Sequence, residues 1–195
     1  MEAVMSPYTT KELYGKVPLY PNQLNNHIYV NIKDNLKKKF LGKCYRDYGY
    51  ICDIYEVTKY DRGIIKPENF SGSVLFEVSF NCRICIPIKN SLFAFKIVKE
   101  SPAVIHATNG PIVCAITEDR ISDRFTRNQI TGKTRYKSGE KYINLNKGDI
   151  VIVKIINISF GDSGDRIVTI GEMIDIGDDD HIKEYEEDQK KVPKM

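Results

Sequence analysis

A chain of 195 residues, 42% hydrophobic and 28% charged, has the mix of an ordinary globular protein and enough apolar material for a core, which sets global disorder aside. Its length fits one large domain or two small ones. No apolar run approaches the roughly 18 residues of a membrane span, and residues 1–16 lack the apolar stretch of a signal peptide, so the expectation is an intracellular protein with no membrane partner. The net charge of +3 conceals an asymmetry: from Asp175 onward eight acids face four lysines, a net of −4, which leaves +7 on the body, a balance suited to a nucleic-acid partner.

In chain order, residues 14–20 read as a short strand closed by Pro21, with Asn22 as the N-cap of a helix. Leu24, Ile28, Ile32, Leu36 and Phe40 recur at four-residue spacing and stack on one helical face. Lys33, Lys37, Lys38 and Lys39 crowd its last turns, where cations suit the negative end of the helix dipole, and Gly42 stops it. Residues 43–48, 50–60 and 72–86 are rich in β-branched and aromatic residues between glycine turns and read as strands. Between Gly63 and Gly72 an apolar segment broken by Pro67 reads as a surface loop. Pro87 and Lys89-Asn90-Ser91 mark a domain boundary. Beyond it, residues 93–100, 104–108, 111–117, 141–145, 149–160 and 166–174 alternate as short strands, the pattern of a small β-barrel. From residue 177 the chain is acidic and polar and is expected to be disordered.

Gly42-Lys-Cys44 with Tyr48-Gly-Tyr-Ile51, then Gly63-Ile-Ile-Lys-Pro67, residues 74–80 and the junction Ile86-Pro87 form a series across the first half. Asn109-Gly-Pro-Ile112 and residues 146–154 continue it in the second. In that order these segments resemble the larger stalk subunit of archaeal and eukaryotic DNA-directed RNA polymerases (the eukaryotic seventh subunit, the archaeal E subunit), over about residues 17–174. The Asn-, Ile- and Lys-rich style is similar to homologues in large cytoplasmic DNA viruses, which would put the protein in the virion and host cytoplasm; a cellular origin would put it in the nucleus.

The resemblance implies an α+β fold in four parts. Residues 1–16 would be an N-terminal extension and 17–90 an antiparallel tip domain with one long helix. Residues 91–176 would form an oligonucleotide-binding (OB) barrel of the S1 type, and 177–195 an acidic disordered tail. It also implies a non-catalytic subunit that docks on core polymerase subunits through the tip. Such subunits commonly pair with a second, helical stalk subunit, and their barrel lies near nascent single-stranded RNA.

The chemistry-bearing residues fit that outline. No nucleophile–base motif, phosphate loop or ligand-spaced histidine occurs, so no cofactor and no catalytic residue is expected. Cys82-Arg-Ile-Cys85 has a zinc-like spacing, but on a strand residues three apart face opposite ways, and buried thiols are the plainer reading. Asp178-Asp-Asp180 reads as a solvated charge block rather than a metal site. RNA contact needs cations along a backbone path beside aromatic faces. Lys96, Arg124, Phe125, Arg127, Lys133, Arg135, Tyr136 and Lys137 offer both, with Arg124, Phe125, Arg127, Arg135, Tyr136 and Lys137 in an expected loop. Phe93 and Phe95, beside Lys96, share one face of their strand, so core packing is the simpler account of both. For docking, Gly63 and Pro67 shape a turn that carries Ile64, Ile65 and Phe70. These three either anchor a partner or close the tip's own core. A free-standing S1-type RNA-binding protein and a nuclease on a barrel scaffold are the competing functions.

Overall fold

Strands carry most of the computed structural model, which describes residues 3–67, 70–128, 130–138, 141–160 and 164–190. In the first half, β1 (Tyr8–Leu19), β2 (Cys44–Tyr45), β3 (Gly49–Tyr60) and β4 (Val74–Cys85) form an antiparallel sheet of order β1-β4-β3-β2. Helix α1 (Ile28–Phe40) covers one face. Alternation along β1 and β4 points Leu13, Val17, Phe76, Val78, Phe80, Cys82 and Ile84 at that helix, where Ile32 and Leu36 are fully buried. Burial of each such side chain stabilises the tip by roughly 1.5–3 kcal/mol. Phe40 reaches the sheet over Gly15, where any Cβ would come within 2.9 Å of its ring.

Two expectations about this half need correction. The helix does not begin at Asn22: a single 3-10 turn spans Pro21–Gln23, and α1 starts at Ile28. Asn25 breaks the path, its Oδ1 accepting the His27 amide at 2.9 Å and its carbonyl the Ile28 amide at 3.1 Å. Such local side-chain bonding competes with helix, and it leaves Leu24 outside the apolar face. Residues 1–16 are not a separate extension either. β1 starts at Tyr8 and stays in register with β4 from Tyr8↔Cys85 to Leu19↔Val74. The polar run Thr9-Thr-Lys-Glu12 pairs there because β4 is twelve residues long, and its backbone groups require partners along the whole length.

In the second half, β5 (Leu92–Glu100), β6 (Val104–Asn109), β7 (Ile112–Thr117), β11 (Ile150–Phe160) and β12 (Ile167–Ile176) close into a barrel of order β11-β12-β7-β6-β5. All pairs are antiparallel except β7 with β12, which gives the five-stranded OB arrangement. Between β7 and β11 lies a small sheet of β8 (Phe125–Arg127), β9 (Thr134–Ser138) and β10 (Lys141–Asn144), ordered β10-β9-β8. Phe125 and Leu145 enter the barrel's own core with Phe93, Phe95, Ile97, Val151 and Met173.

The tail is also corrected. Instead of disorder from residue 177, α2 (Asp179–Lys190) packs against the barrel, with residues 191–195 outside the described set. Asp178 starts it by accepting the His181 amide at 3.0 Å, and Asp179 and Asp180 suit the positive end of the helix dipole. Ile182 and Tyr185, three apart on one face, pack on Ala94, Ile150 and Ile152. That small apolar stripe is what composition alone concealed.

Tip and barrel share a core. On the face of the tip sheet away from α1, register aligns Tyr8, Cys85, Tyr50 and Cys44 in one row. Tyr50, Cys52 and Cys85 belong to the same buried cluster as the barrel interior. A polar seam runs beside it. Arg83 lies over the Tyr8 ring at 4.7 Å and donates to Asp188 at 2.8 Å, while Asp188 also accepts the Ser6 hydroxyl at 2.5 Å. Asn109 accepts from Tyr8 at 3.2 Å and from Gln189 at 2.9 Å, and donates to the Ala94 carbonyl at 2.8 Å.

Candidate docking and nucleic-acid surfaces

The loop after β3 is set by Gly63, which holds φ +73° and lies so close to β4 that a Cβ would meet Val74 Cγ1 at 2.5 Å. Ile64 then makes a two-hydrogen-bond bridge to Leu75 (2.8 and 2.9 Å), which pins the loop's base to the sheet. With the backbone held there, the side chains face outward: Ile64 is 62% exposed, Ile65 61% and Phe70 fully exposed. Of the two readings of these residues, closing the tip's own core is the one the structure removes. Pro67 is exposed in the turn between them, while Glu68 and Asn69 lie outside the described residues. Beside the loop is a groove of about 730 Å³ lined by Leu24, Ile28, Tyr60, Arg62, Val74 and Phe76.

The eight residues expected to meet RNA do not stand together as one set. Six are expected in a loop, but Phe125, Arg127, Arg135, Tyr136 and Lys137 lie in strands β8 and β9. Phe125 is 7% exposed and packs against Tyr136, ring centroids 5.2 Å apart, so both aromatic rings belong to the seat of the small sheet on the barrel. Arg127 also points inward: its Nη2 donates to the Ser101 carbonyl at the turn between β5 and β6. Arg124 is paired with Asp175 of β12. The same carboxylate hydrogen-bonds Tyr136 and pushes that phenol's pKa up. Lys133, Arg135 and Lys137 remain exposed. Lys96 is exposed as well, but on the barrel wall, between Thr108 of β6 and Ile150 of β11.

Alternation explains the division. Phe125, Tyr136 and Ile143 are cross-strand partners on one face of the small sheet; Thr126, Arg135 and Asn144 are partners on the other, as are Lys137 and Tyr142. Sequence reasoning missed Tyr142 and Asn144, which this second face brings beside the two cations. A strand expected over residues 141–145 carried the parity signal, but not its pairing with residues 134–138.

The cysteines act as packing groups. Cys82 lies in the core under α1 and Cys85 in the core shared with the barrel, on opposite faces of β4. Burial pushes Cys52 up to about 12 and Cys82 and Cys114 up to about 11. Among the described residues no three His, Cys, Asp or Glu side chains converge as metal ligands, and no helix is long and apolar enough to cross a membrane.

The two parts are a four-stranded tip sheet with one covering helix and an OB barrel that carries an inserted small sheet. Residues 15–69 match the family model described as "SHS2 domain found in N terminus of Rpb7p/Rpc25p/MJ0397". Over 189 residues the chain is 35% identical to "Putative DNA-directed RNA polymerase subunit L376" of Acanthamoeba polyphaga mimivirus, covering 96% of this chain and 92% of that one. The chain belongs to the Rpb7-type family of DNA-directed RNA polymerase subunits.

Proposed function

We propose that this chain is a non-catalytic stalk subunit. It docks on core polymerase subunits through the tip and offers its barrel half to nascent single-stranded RNA as it leaves the enzyme. The observation that carries the reading is the loop after Gly63, where Ile64, Ile65 and Phe70 stand in solvent on a base fixed to β4. Exposed large apolar side chains on a rigid support are the usual anchors of a protein interface. The exposed Arg135 and Lys137 support the RNA half of the reading, because non-specific single-strand binding rests on cations along the phosphate path. A relative that is itself a polymerase subunit favours this assignment over a free-standing RNA-binding protein. A second, helical stalk subunit fits the same reading as a further partner.

Ile65→Asp tests docking. Ile65 is 61% exposed, so the charge should leave the isolated chain folded, with its melting temperature within about 2 °C of the parent. Recovery of the large polymerase subunits with a tagged chain in high salt should fall at least tenfold. Full recovery with a folded variant would remove this loop from the interface.

A further inference from the structure

We propose that Tyr142 is the base-stacking platform of a single-stranded RNA site on the outer face of the β8–β9–β10 sheet, with Arg135 and Lys137 as its phosphate contacts. The proposal rests on the RNA reading above and gives it a place and a recognition mode.

Register decides which side chains share this face. Tyr142 is directly opposite Lys137, and Arg135 is directly opposite both Asn144 and Thr126. Side chains directly opposite across an antiparallel pair share a face, with Cβ atoms about 5 Å apart, and diagonal neighbours about 7–8 Å apart. Tyr142 therefore has Lys137 as its direct neighbour and Arg135 as its diagonal one. All five residues are exposed. The other face is committed to packing: Phe125 is 7% exposed, with Tyr136 against it. A tyrosine on a strand is ordinarily explained by packing on its own sheet. Tyr142 is 56% exposed, and the apolar face of the sheet is the opposite one.

The cation spacing fits the ligand. Arg135 and Lys137 are two residues apart on one strand, a step of about 6.8 Å. That distance suits successive phosphates of an extended single strand. An exposed ring beside such a pair can take one base without selecting its identity, since every base has a π-face. Asn144 and Thr126 add side-chain hydrogen-bonding groups on the same surface. The sheet is also held firmly enough to present them. The Thr134 amide donates to Glu100 at 3.1 Å, the Leu145 amide donates to the Thr134 carbonyl at 3.0 Å, and Phe125 anchors β8 in the barrel core.

The test uses the full chain and a fluorescein-labelled 15-nucleotide oligouridine, with binding followed by anisotropy between 50 and 200 mM salt. Tyr142→Ala should weaken binding roughly 5- to 100-fold without changing the salt dependence. Tyr142→Phe should bind as the parent does, because the ring face and not the hydroxyl carries the contact. Arg135→Ala/Lys137→Ala should flatten the slope of log K against log salt by about 1.4, the share of two phosphates on a single strand. Parental affinity in Tyr142→Ala, or equal loss in Tyr142→Phe, would overturn the stacking role while leaving RNA binding in place. No RNA binding by the parent chain would overturn the RNA reading itself, and this site with it.

Discussion

Replacing Asp188 by alanine should loosen the whole molecule rather than its C-terminal helix alone. The carboxylate lies 2.8 Å from Arg83 and the pair is nearly dry, with side-chain exposures of 15% and 8%. Removing one partner of a buried pair costs about 3–5 kcal/mol, because the remaining charge stays buried without compensation. Two features set the value here near the lower end. Arg83 keeps its contact with the Tyr8 ring, and Asp188 sits at the more exposed end of the seam. Against this, the Ser6 hydroxyl also loses its acceptor. A loss of about 3 kcal/mol corresponds to a fall in melting temperature of roughly 6–12 °C for a chain of this size. Thermal melts and urea titrations of the full chain would measure it. The companion variant Arg83→Met/Asp188→Leu should recover most of the loss, since apolar side chains of similar volume can replace a buried pair at little cost. A melting temperature within 1 °C of the parent for Asp188→Ala would refute the reasoning, as would a double variant no more stable than the single one.

Two further outcomes follow from groups already described. Thiols raised in the folded state from 9.0 to about 11 at Cys82 and Cys114, and to about 12 at Cys52, favour the neutral native form. Their contribution is therefore complete below about pH 9 and is lost as pH rises through 11–12. Melting temperature should fall across that window, and at pH 8 a thiol reagent should modify these three only after denaturation; rapid reaction of the native chain would contradict their burial. Gly63→Ala places a methyl group 2.5 Å from Val74 Cγ1 at φ +73°, so it should cost at least about 2 kcal/mol. The readout is a urea midpoint, and an unchanged midpoint would mean that the loop's base is not rigid.

Much of the architecture was legible because burial imposes its period on the sequence. The barrel strands could be placed to within one or two residues from alternation between Gly, Pro and Asn turns, and Ile32 and Leu36 marked the helix face. What escaped was structure whose apolar content is small or whose partners are distant. Residues 8–13 are polar except for Tyr8 and Leu13, and they are strand only because distant β4 pairs with them, from Tyr8↔Cys85 to Leu13↔Phe80. Helix α2 buries little beyond Ile182 and Tyr185, though the Asp178 cap was there to be read. The small sheet was the costliest omission. Charged residues in a presumed loop all look available to RNA, whereas pairing assigns Phe125, Arg127 and Tyr136 to the inside and Arg135 and Lys137 to the outside. Pro67 marked the segment after Gly63 as a surface loop, but it did not decide which way Ile64, Ile65 and Phe70 face, since the same residues in the same turn would also suit a core.

The seam also bears on the order in which the protein can fold as it is made. Ser6 meets Asp188 across 182 residues of sequence, and Arg83 is neutralised by a residue 105 positions later. The tip's strand β1, made well before α2, cannot complete its surroundings until that helix has emerged. Until the barrel strands have emerged and closed, the thiol-and-tyrosine row of Cys85, Tyr50 and Cys44 has no barrel against it, and an apolar sheet end stands open to other chains. Closure between distant segments is slow, and exposed sheet surface during the wait invites aggregation. A chain cut between its two halves would be left permanently in that unfinished condition, so the halves are better regarded as one folding unit with two lobes than as separable modules.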